Sequence, residues 1–172
     1  MTDNLKERQD STPTGTIRWD FSWPRYEKEE RYDLLYYLED RFGIDTAVFD
    51  DYLLLKKNKS WWLLRKSDYI NQAALLKVWM TGLKAFQDVG RFIKPTTRMI
   101  QVFGHYAIRC VLQIYEDDIK KLSEGKHISS DKEMDNGYII LSFRGAILGL
   151  GLYIDGMVTS QMPRRDLILF VG

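Results

Sequence analysis

The strongest constraint on the fold is a group of three apolar segments near the carboxyl end, joined by very short turns. These segments are rich in β-branched and aromatic residues, as strands are, and they lie at residues 138–143, 146–154 and 157–162. Arg144 and Gly145 separate the first two segments, and Asp155 and Gly156 separate the last two. Because two-residue loops with glycine join antiparallel neighbours, the sequence predicts an antiparallel sheet here. A last apolar run at 167–171 is expected to close that sheet.

Two short helices are predicted ahead of these strands. The first begins near Pro95, because proline suits the first turn of a helix. Its apolar face is expected to be buried and consists of Met99, Ile100 and Phe103. The second begins near Tyr115 with acidic residues at its amino end, which the helix dipole favours, and Gly125 ends it. A strand at 107–114 is expected to connect the two helices.

The first part of the chain predicts a helix followed by a hairpin. The helix has one apolar stripe, formed by Leu34, Leu35, Leu38 and Phe42. Gly43 stands where a helix cap is expected. Residues 49–55 and 60–64 then read as two strands with a lysine-rich turn between them. Trp61 and Trp62 must point to opposite faces of their strand, so we expect one in the core and the other more exposed.

This order of elements defines the expected fold class. Tight antiparallel turns at the end and the lack of a βαβ series favour an α+β fold over a doubly wound one. We expect a mixed β pseudobarrel with two short helices over residues 75–172. A small α/β amino-terminal domain is expected over 17–74, and a polar, disordered tail over 1–16.

The charges of the chain are distributed very unevenly. The formal net charge is only +1, but residues 56–109 contain 11 basic and 2 acidic side chains. The segments on either side are net acidic. A concentrated basic segment is suited to a phosphate-bearing partner, because local potential attracts a polyanion. The alternative interpretation is a solvated lysine-rich surface without a partner.

The carboxy-terminal part resembles a known family. The motifs are GLKAF at 82–86, RFIKPT at 91–96, GYIILSFRG at 137–145, LGLG at 148–151 and MPRR at 162–165. In order and spacing they are similar to the PUA-like extension of Sun-family RNA 5-methylcytosine methyltransferases, over residues 75–166. Residues 25–70 occupy a position similar to that of the small domain before the PUA domain in some ribosome-assembly factors.

This resemblance implies a PUA-like pseudobarrel that docks an RNA helix or stem-loop. The family has lysines in its last hairpin, whereas residues 152–156 have none, so we expect the basic segment to contribute more. Arg91, Lys94 and Arg98 flank the start of the helix predicted at Pro95, where free amides favour an anion. The predicted RNA-binding residues are Lys84, Arg91, Lys94, Arg98, Tyr153, Arg164 and Arg165.

No catalytic constellation is visible in the sequence. The methyltransferases use a cysteine nucleophile, typically beside proline, whereas Cys110 lies among apolar neighbours and is expected to be a buried thiol. His105 and His127 have no metal-site spacing, so we expect neither a metal nor a cofactor. Gly149 and Gly151 share one face of a strand, which permits either a sheet bend or a close approach of RNA backbone.

The sequence therefore predicts a non-catalytic protein that binds structured RNA, either rRNA or tRNA, in RNA modification or ribosome assembly. The alternative is a protein-interaction module or an accessory subunit of a separate RNA methyltransferase. An enzyme is the third and weakest hypothesis. With a single cysteine, no signal-peptide pattern and no long apolar span, a cytoplasmic location is expected.

Overall fold

The computed structural model describes residues 25–26, 28–70, 72, 82–90 and 92–170. The predicted tail at 1–16 and Arg91 lie outside these residues. The described chain has the α+β class that the sequence predicts, with two five-stranded sheets and four α-helices. None of these helices is long and apolar enough to cross a bilayer.

The first sheet is antiparallel throughout, and its strands follow the order of the chain. They are β1 (Arg25–Tyr26), β2 (Tyr52–Lys57), β3 (Ser60–Arg65), β4 (Leu83–Asp88) and β5 (Ile93–Pro95). The predicted domain boundary between residues 74 and 75 falls between β3 and β4, which pair with each other. One sheet therefore contains strands from both sides of that boundary.

The second sheet has the spatial order β6-β8-β9-β10-β7, in which only β6 and β8 are parallel. Its strands are β6 (Val111–Gln113), β7 (Ile128–Ser129), β8 (Gly137–Phe143), β9 (Ala146–Ile154) and β10 (Met157–Ser160). Positive φ angles at Arg144 and Gly145, and at Asp155 and Gly156, make both connecting turns left-handed. This conformation matches the twist of antiparallel hairpins, so the three-stranded prediction is confirmed.

The helices are α1 (Lys28–Phe42), α2 (Thr97–Phe103), α3 (Glu116–Ser123) and α4 (Arg164–Ile168). The predicted stripe of α1 is buried, and Gly43 ends this helix with a positive φ of 67°. The amide of Gly43 donates to the carbonyl of Glu39 at 2.8 Å. The two short helices predicted near Pro95 and Tyr115 are also confirmed. Pro95, however, ends β5, and Thr96 caps α2 by accepting a hydrogen bond from the amide of Met99.

Two predicted strands are wrong in part. Residues 107–110 do not pair in a sheet, because the amides of Ile108 and Arg109 both donate to the carbonyl of Phe42 and so cap α1. Ile108 is consequently 82% exposed. The described part of the apolar run at 167–171 does not close the sheet, since it forms the end of α4, where Leu167 is fully buried, and the turn after that helix.

The apolar residues form two cores on opposite sides of the second sheet. The first core lies between the first sheet, α1 and α2, and it includes Ile140 and Leu150 from the second sheet. The second core lies between the other face of the second sheet, α3 and α4, and it includes Ile139 and Leu141. The second sheet is therefore the shared wall of both cores.

Candidate nucleic-acid interface

The first sheet has one face toward the core and one face away from it. On β3, Trp61 and Leu63 are buried in the first core, whereas the alternating residues Trp62 and Leu64 are only half-buried. Successive side chains of a strand point to opposite sides, so Trp62 and Leu64 belong to the outer face. The prediction that the two tryptophans divide between core and surface is confirmed, with Trp61 as the core residue.

Strand register places lysines from three strands on this outer face. Lys57 pairs with Ser60, Ser60 with Gln87, and Gln87 with Lys94, which makes one row across four strands. Directly paired residues lie on the same face of a sheet. The next row contains Trp62 and its partner Lys84. We call Lys57, Lys84, Lys94, Gln87 and Trp62 the lysine face.

A β-bulge decides the direction of Lys84. Trp61 pairs with Phe86 and Trp62 with Lys84, so Ala85 is an extra residue in β4. Ala85 and Phe86 are both fully buried, and the alternation resumes with Lys84 on the outer face. Without the extra residue, Lys84 and Phe86 would share the buried side of the sheet.

The charges of Lys84 and Lys94 are available to an anion. Lys84 Nζ donates to Gln87 Oε1 at 3.0 Å, which holds the two polar side chains together. Within the described part of the chain, neither Lys84 nor Lys94 forms an ion pair. The carboxylate of the nearby Asp88 accepts the amide of Gly90 at 2.7 Å.

Arg98 and Lys94 were both predicted at the start of one helix, but they do not lie on one surface of the protein. Lys94 lies in β5, and α2 begins only at Thr97, so the two side chains do not share a helix. Helix α2 packs on the core side of the first sheet, opposite the lysine face. Arg98 is exposed there, and its Nη1 donates to Gln101 Oε1 at 3.2 Å.

Arg164 and Arg165 are exposed at the start of α4. The guanidinium of Arg164 lies against Gly125, just after the end of α3. Arg165 Nε is 3.5 Å from the carboxylate of Asp166. Both arginines therefore belong to the surface of the second core, away from the lysine face.

Tyr153 is a core residue, so its side chain does not lie on the surface as the predicted contact with RNA requires. It is only 6% exposed and packs in the second core. On β9 it shares a strand face with Gly151, on the side that faces Ile139 and Leu141. Residues two apart on a strand share a face, so a tyrosine at this position is directed inward.

The strand glycines serve packing within the protein. A Cβ added to Gly149 would lie 2.6 Å from Met162 Sδ and 2.6 Å from Thr97 Cγ2. At Gly151, the nearest atoms to an added Cβ are Leu141 Cδ2 at 3.1 Å and Ile139 Cγ1 at 3.2 Å. Protein side chains therefore occupy the space that the absent side chains leave, which argues against a close approach of RNA backbone at these glycines.

Cys110 is half-buried, so the prediction of a buried thiol is too strong. It packs against both cores and has a positive φ of 52°. The Nδ1 atom of His127 lies 3.0 Å from Thr159 Oγ1. In the described segments, no group of three His, Cys, Asp or Glu side chains is arranged to hold a metal ion.

Lys57, Gln87 and Trp62 were not among the predicted RNA-binding residues. The alternation within each strand was readable, but strand pairing decides which alternating residues of separate strands meet. The bulge at Ala85 also inverts the face on which Lys84 would otherwise lie.

A scan against protein-family models finds no match, and a search of curated proteins finds no significant similarity.

Proposed function

We propose that this protein is a non-catalytic RNA-binding protein that acts in rRNA or tRNA modification or in ribosome assembly. The observation that carries the proposal is the lysine face, where strand register gathers three cationic side chains around a half-buried tryptophan. The distance from Lys57 to Lys94 is three strand spacings, about 14 Å. A surface of this width spans several phosphates of an RNA backbone.

The chemistry of the lysine face suits RNA in two ways. Lysine ammonium groups release counterions when they neutralise phosphates, which supplies salt-dependent affinity without reading bases. An aromatic ring beside them offers a surface on which an unpaired base can stack. The exposed arginines Arg98, Arg164 and Arg165 supply a secondary contact for an RNA large enough to extend past the sheet.

We also propose that the second half is a PUA-like pseudobarrel similar to the extension of the methyltransferases it resembles. Support comes from where the resembling motifs lie. The motif at 137–145 covers β8 and its turn, and the Gly-x-Gly motif lies in the middle of β9. In this proposal, the protein holds RNA in the cytoplasm for a separate methyltransferase or for an assembling ribosome.

The test is a double variant of the lysine face, Lys84→Ala with Lys94→Ala. Affinity for a structured RNA such as a tRNA is expected to fall at least tenfold, which corresponds to about 1.4 kcal/mol. The slope of log affinity against log salt should also become shallower by about two, because two phosphate contacts are lost. Filter binding over a range of salt concentrations measures both quantities.

Lys120→Ala with Lys121→Ala is the matched control, since these lysines are exposed on α3. The control should keep the affinity and the slope of the parent. If the Lys84 and Lys94 variant remains folded and binds as tightly as the parent, the lysine face is not the RNA site. If the parent binds no RNA at low salt, the proposed function is wrong.

A further inference from the structure

Helix α1 presents a second, chemically different surface that the proposed function does not use. Tyr32 and Tyr36 are 69% and 51% exposed, although large aromatic side chains are usually covered. Their rings stack nearly parallel, with centroids 5.9 Å apart and an interplanar angle of 12°. Two exposed aromatic rings that pack on each other form a preordered surface instead of two independent side chains.

Two exposed carboxylates border this tyrosine pair. At 3.6 residues per turn, Asp33 and Asp40 lie with Tyr32 and Tyr36 within an arc of about 100° on the outer side of α1. We call these four residues the acidic–aromatic face. In the described part of the chain, neither aspartate forms an ion pair.

The arginines of α1 are directed to other parts of the protein and do not neutralise this face. Arg31 Nη2 donates to the carbonyl of Phe49 at 2.8 Å. Arg41 Nε donates to the carbonyl of Tyr138 and its Nη2 to that of Asp135, both at 2.7 Å. Both guanidinium groups thus bind backbone carbonyls, and neither neutralises the aspartates of the acidic–aromatic face.

We propose that the acidic–aromatic face docks an arginine-rich segment of a partner protein. A guanidinium is attracted both by an aromatic ring face and by a carboxylate, and this helix offers the two side by side. Tyrosine has few rotatable bonds, so little entropy is lost when it is fixed in an interface. RNA is the disfavoured occupant, because unpaired carboxylates repel its phosphates.

This assignment gives the protein two surfaces of opposite charge. The lysine face is suited to a polyanion and the acidic–aromatic face to a polycation, and the two have no residue in common. A protein partner on α1 therefore leaves the lysine face free. The inference does not depend on the proposed function, since the chemistry of α1 is independent of what the first sheet binds.

The experiment measures binding of a fluorescein-labelled peptide of arginine–glycine–glycine repeats to the full chain by anisotropy at low salt. Tyr32→Leu with Tyr36→Leu keeps apolar bulk but removes both ring faces. Affinity is expected to fall about fivefold, the size of two exposed cation–π contacts at the weak end of their range. Asp33→Asn with Asp40→Asn should also weaken binding, and it should flatten the salt dependence.

Asp68→Asn with Tyr69→Leu is the matched control, because both residues are exposed and Tyr69 lies off the helix. This control should bind the peptide like the parent. A peptide in which lysine replaces arginine should bind more weakly to the parent, since planar guanidinium groups stack better on rings. Circular dichroism checks that each variant keeps its helices.

Three outcomes would overturn the inference. The parent fails to bind the arginine peptide, or the α1 variants bind it as tightly as the parent, or the tyrosine variant loses affinity for RNA instead of for the peptide. The lysine-face variant Lys84→Ala with Lys94→Ala should retain full peptide binding. A failure on α1 is thereby separate from a failure of the RNA-binding proposal.

Discussion

The two sheets of this protein differ in how many of their faces are buried. In the second sheet, the adjacent residues Ile139 and Ile140 are both fully buried, one in each core. In the first sheet, Leu63 is buried and its neighbour Leu64 is only half-buried, although Leu55, which pairs with Trp62 on the outer face, is buried too. A sheet with both faces in cores has little surface to offer a ligand, whereas a sheet whose outer face is only partly buried can present polar side chains there. The lysine face lies on the sheet with the partly buried outer face.

The difference between the two sheets also explains why some of the predicted RNA-binding residues lie on the lysine face and others do not. Tyr153 belongs to the sheet buried on both sides, and an inward position on either face leads into a core. Lys84 and Lys94 belong to the sheet whose outer face is only partly buried, and strand pairing puts both lysines on that face. The packing of each sheet thus decides which of the predicted RNA-binding side chains lie at the surface.

The largest expected effect tests the comparison directly with four single alanine variants. Ile139→Ala and Ile140→Ala should each lower the free energy of unfolding by about 2–5 kcal/mol, because each opens a cavity in a core. Leu63→Ala should have a cost in the same range. Leu64→Ala should cost less than half as much, since this side chain is only half-buried. Urea denaturation measures all four.

The comparison fails if Leu64→Ala costs as much as Leu63→Ala, since both faces of the first sheet would then be equally packed. It also fails if either isoleucine variant is nearly neutral. Unchanged denaturant slopes are required in each case, so that the differences report stability alone.

A smaller effect is expected at Tyr37, which lies on α1 in contact with the first core. Its ring meets Phe42 edge-on at 6.1 Å, and burial raises the pKa of its phenol from 10.0 to about 12. The folded state thus holds the proton more tightly than the unfolded state. The stabilisation is complete below pH 10 and is lost as pH rises toward 12.

The measurement compares the parent with Tyr37→Phe, which cannot ionise. Between these two pH values the free energy of unfolding of the parent should fall by up to about 2 kcal/mol more than that of the variant. Parallel curves would show that Tyr37 titrates normally and that α1 is less closely packed than the fold implies.

The smallest effect is expected for Cys110→Ser. The side chain is half-buried between the two cores, and its backbone carbonyl, which accepts the amide of Ile140 at 2.8 Å, is unchanged by the substitution. The free energy of unfolding should fall by less than about 1 kcal/mol. RNA affinity should not change. A folded variant with strongly reduced function would contradict the non-catalytic role.

Much of the fold was predictable because local patterns specify it. Left-handed turns at Arg144 and Asp155, each followed by glycine, fix the register of β8, β9 and β10. The apolar stripe and glycine cap of α1 are equally local. The segment at 107–110 was not predictable, since its amides are recruited by the carbonyl of Phe42, far away in sequence.

The sequence predicted that basic residues form the candidate site, but it did not predict which of them lie together on one face. The basic segment directed attention to Lys84 and Lys94, and both lie on the lysine face. Arg98 has the same charge but lies beyond the other face of the sheet, because α2 crosses to the core side. Strand pairing and a single extra residue, Ala85, decide which cations meet, and neither leaves a signal in the charge pattern.

The presence of Ile140 and Leu150 in the first core has a consequence for biosynthesis. The ribosome makes the chain from its amino end, so the first sheet, α1 and α2 are complete before these two residues emerge. Until then, the nascent first half exposes the apolar surface that they later cover. We therefore expect the early chain to be the aggregation-prone species during synthesis, and to mature only when β8 and β9 dock against it.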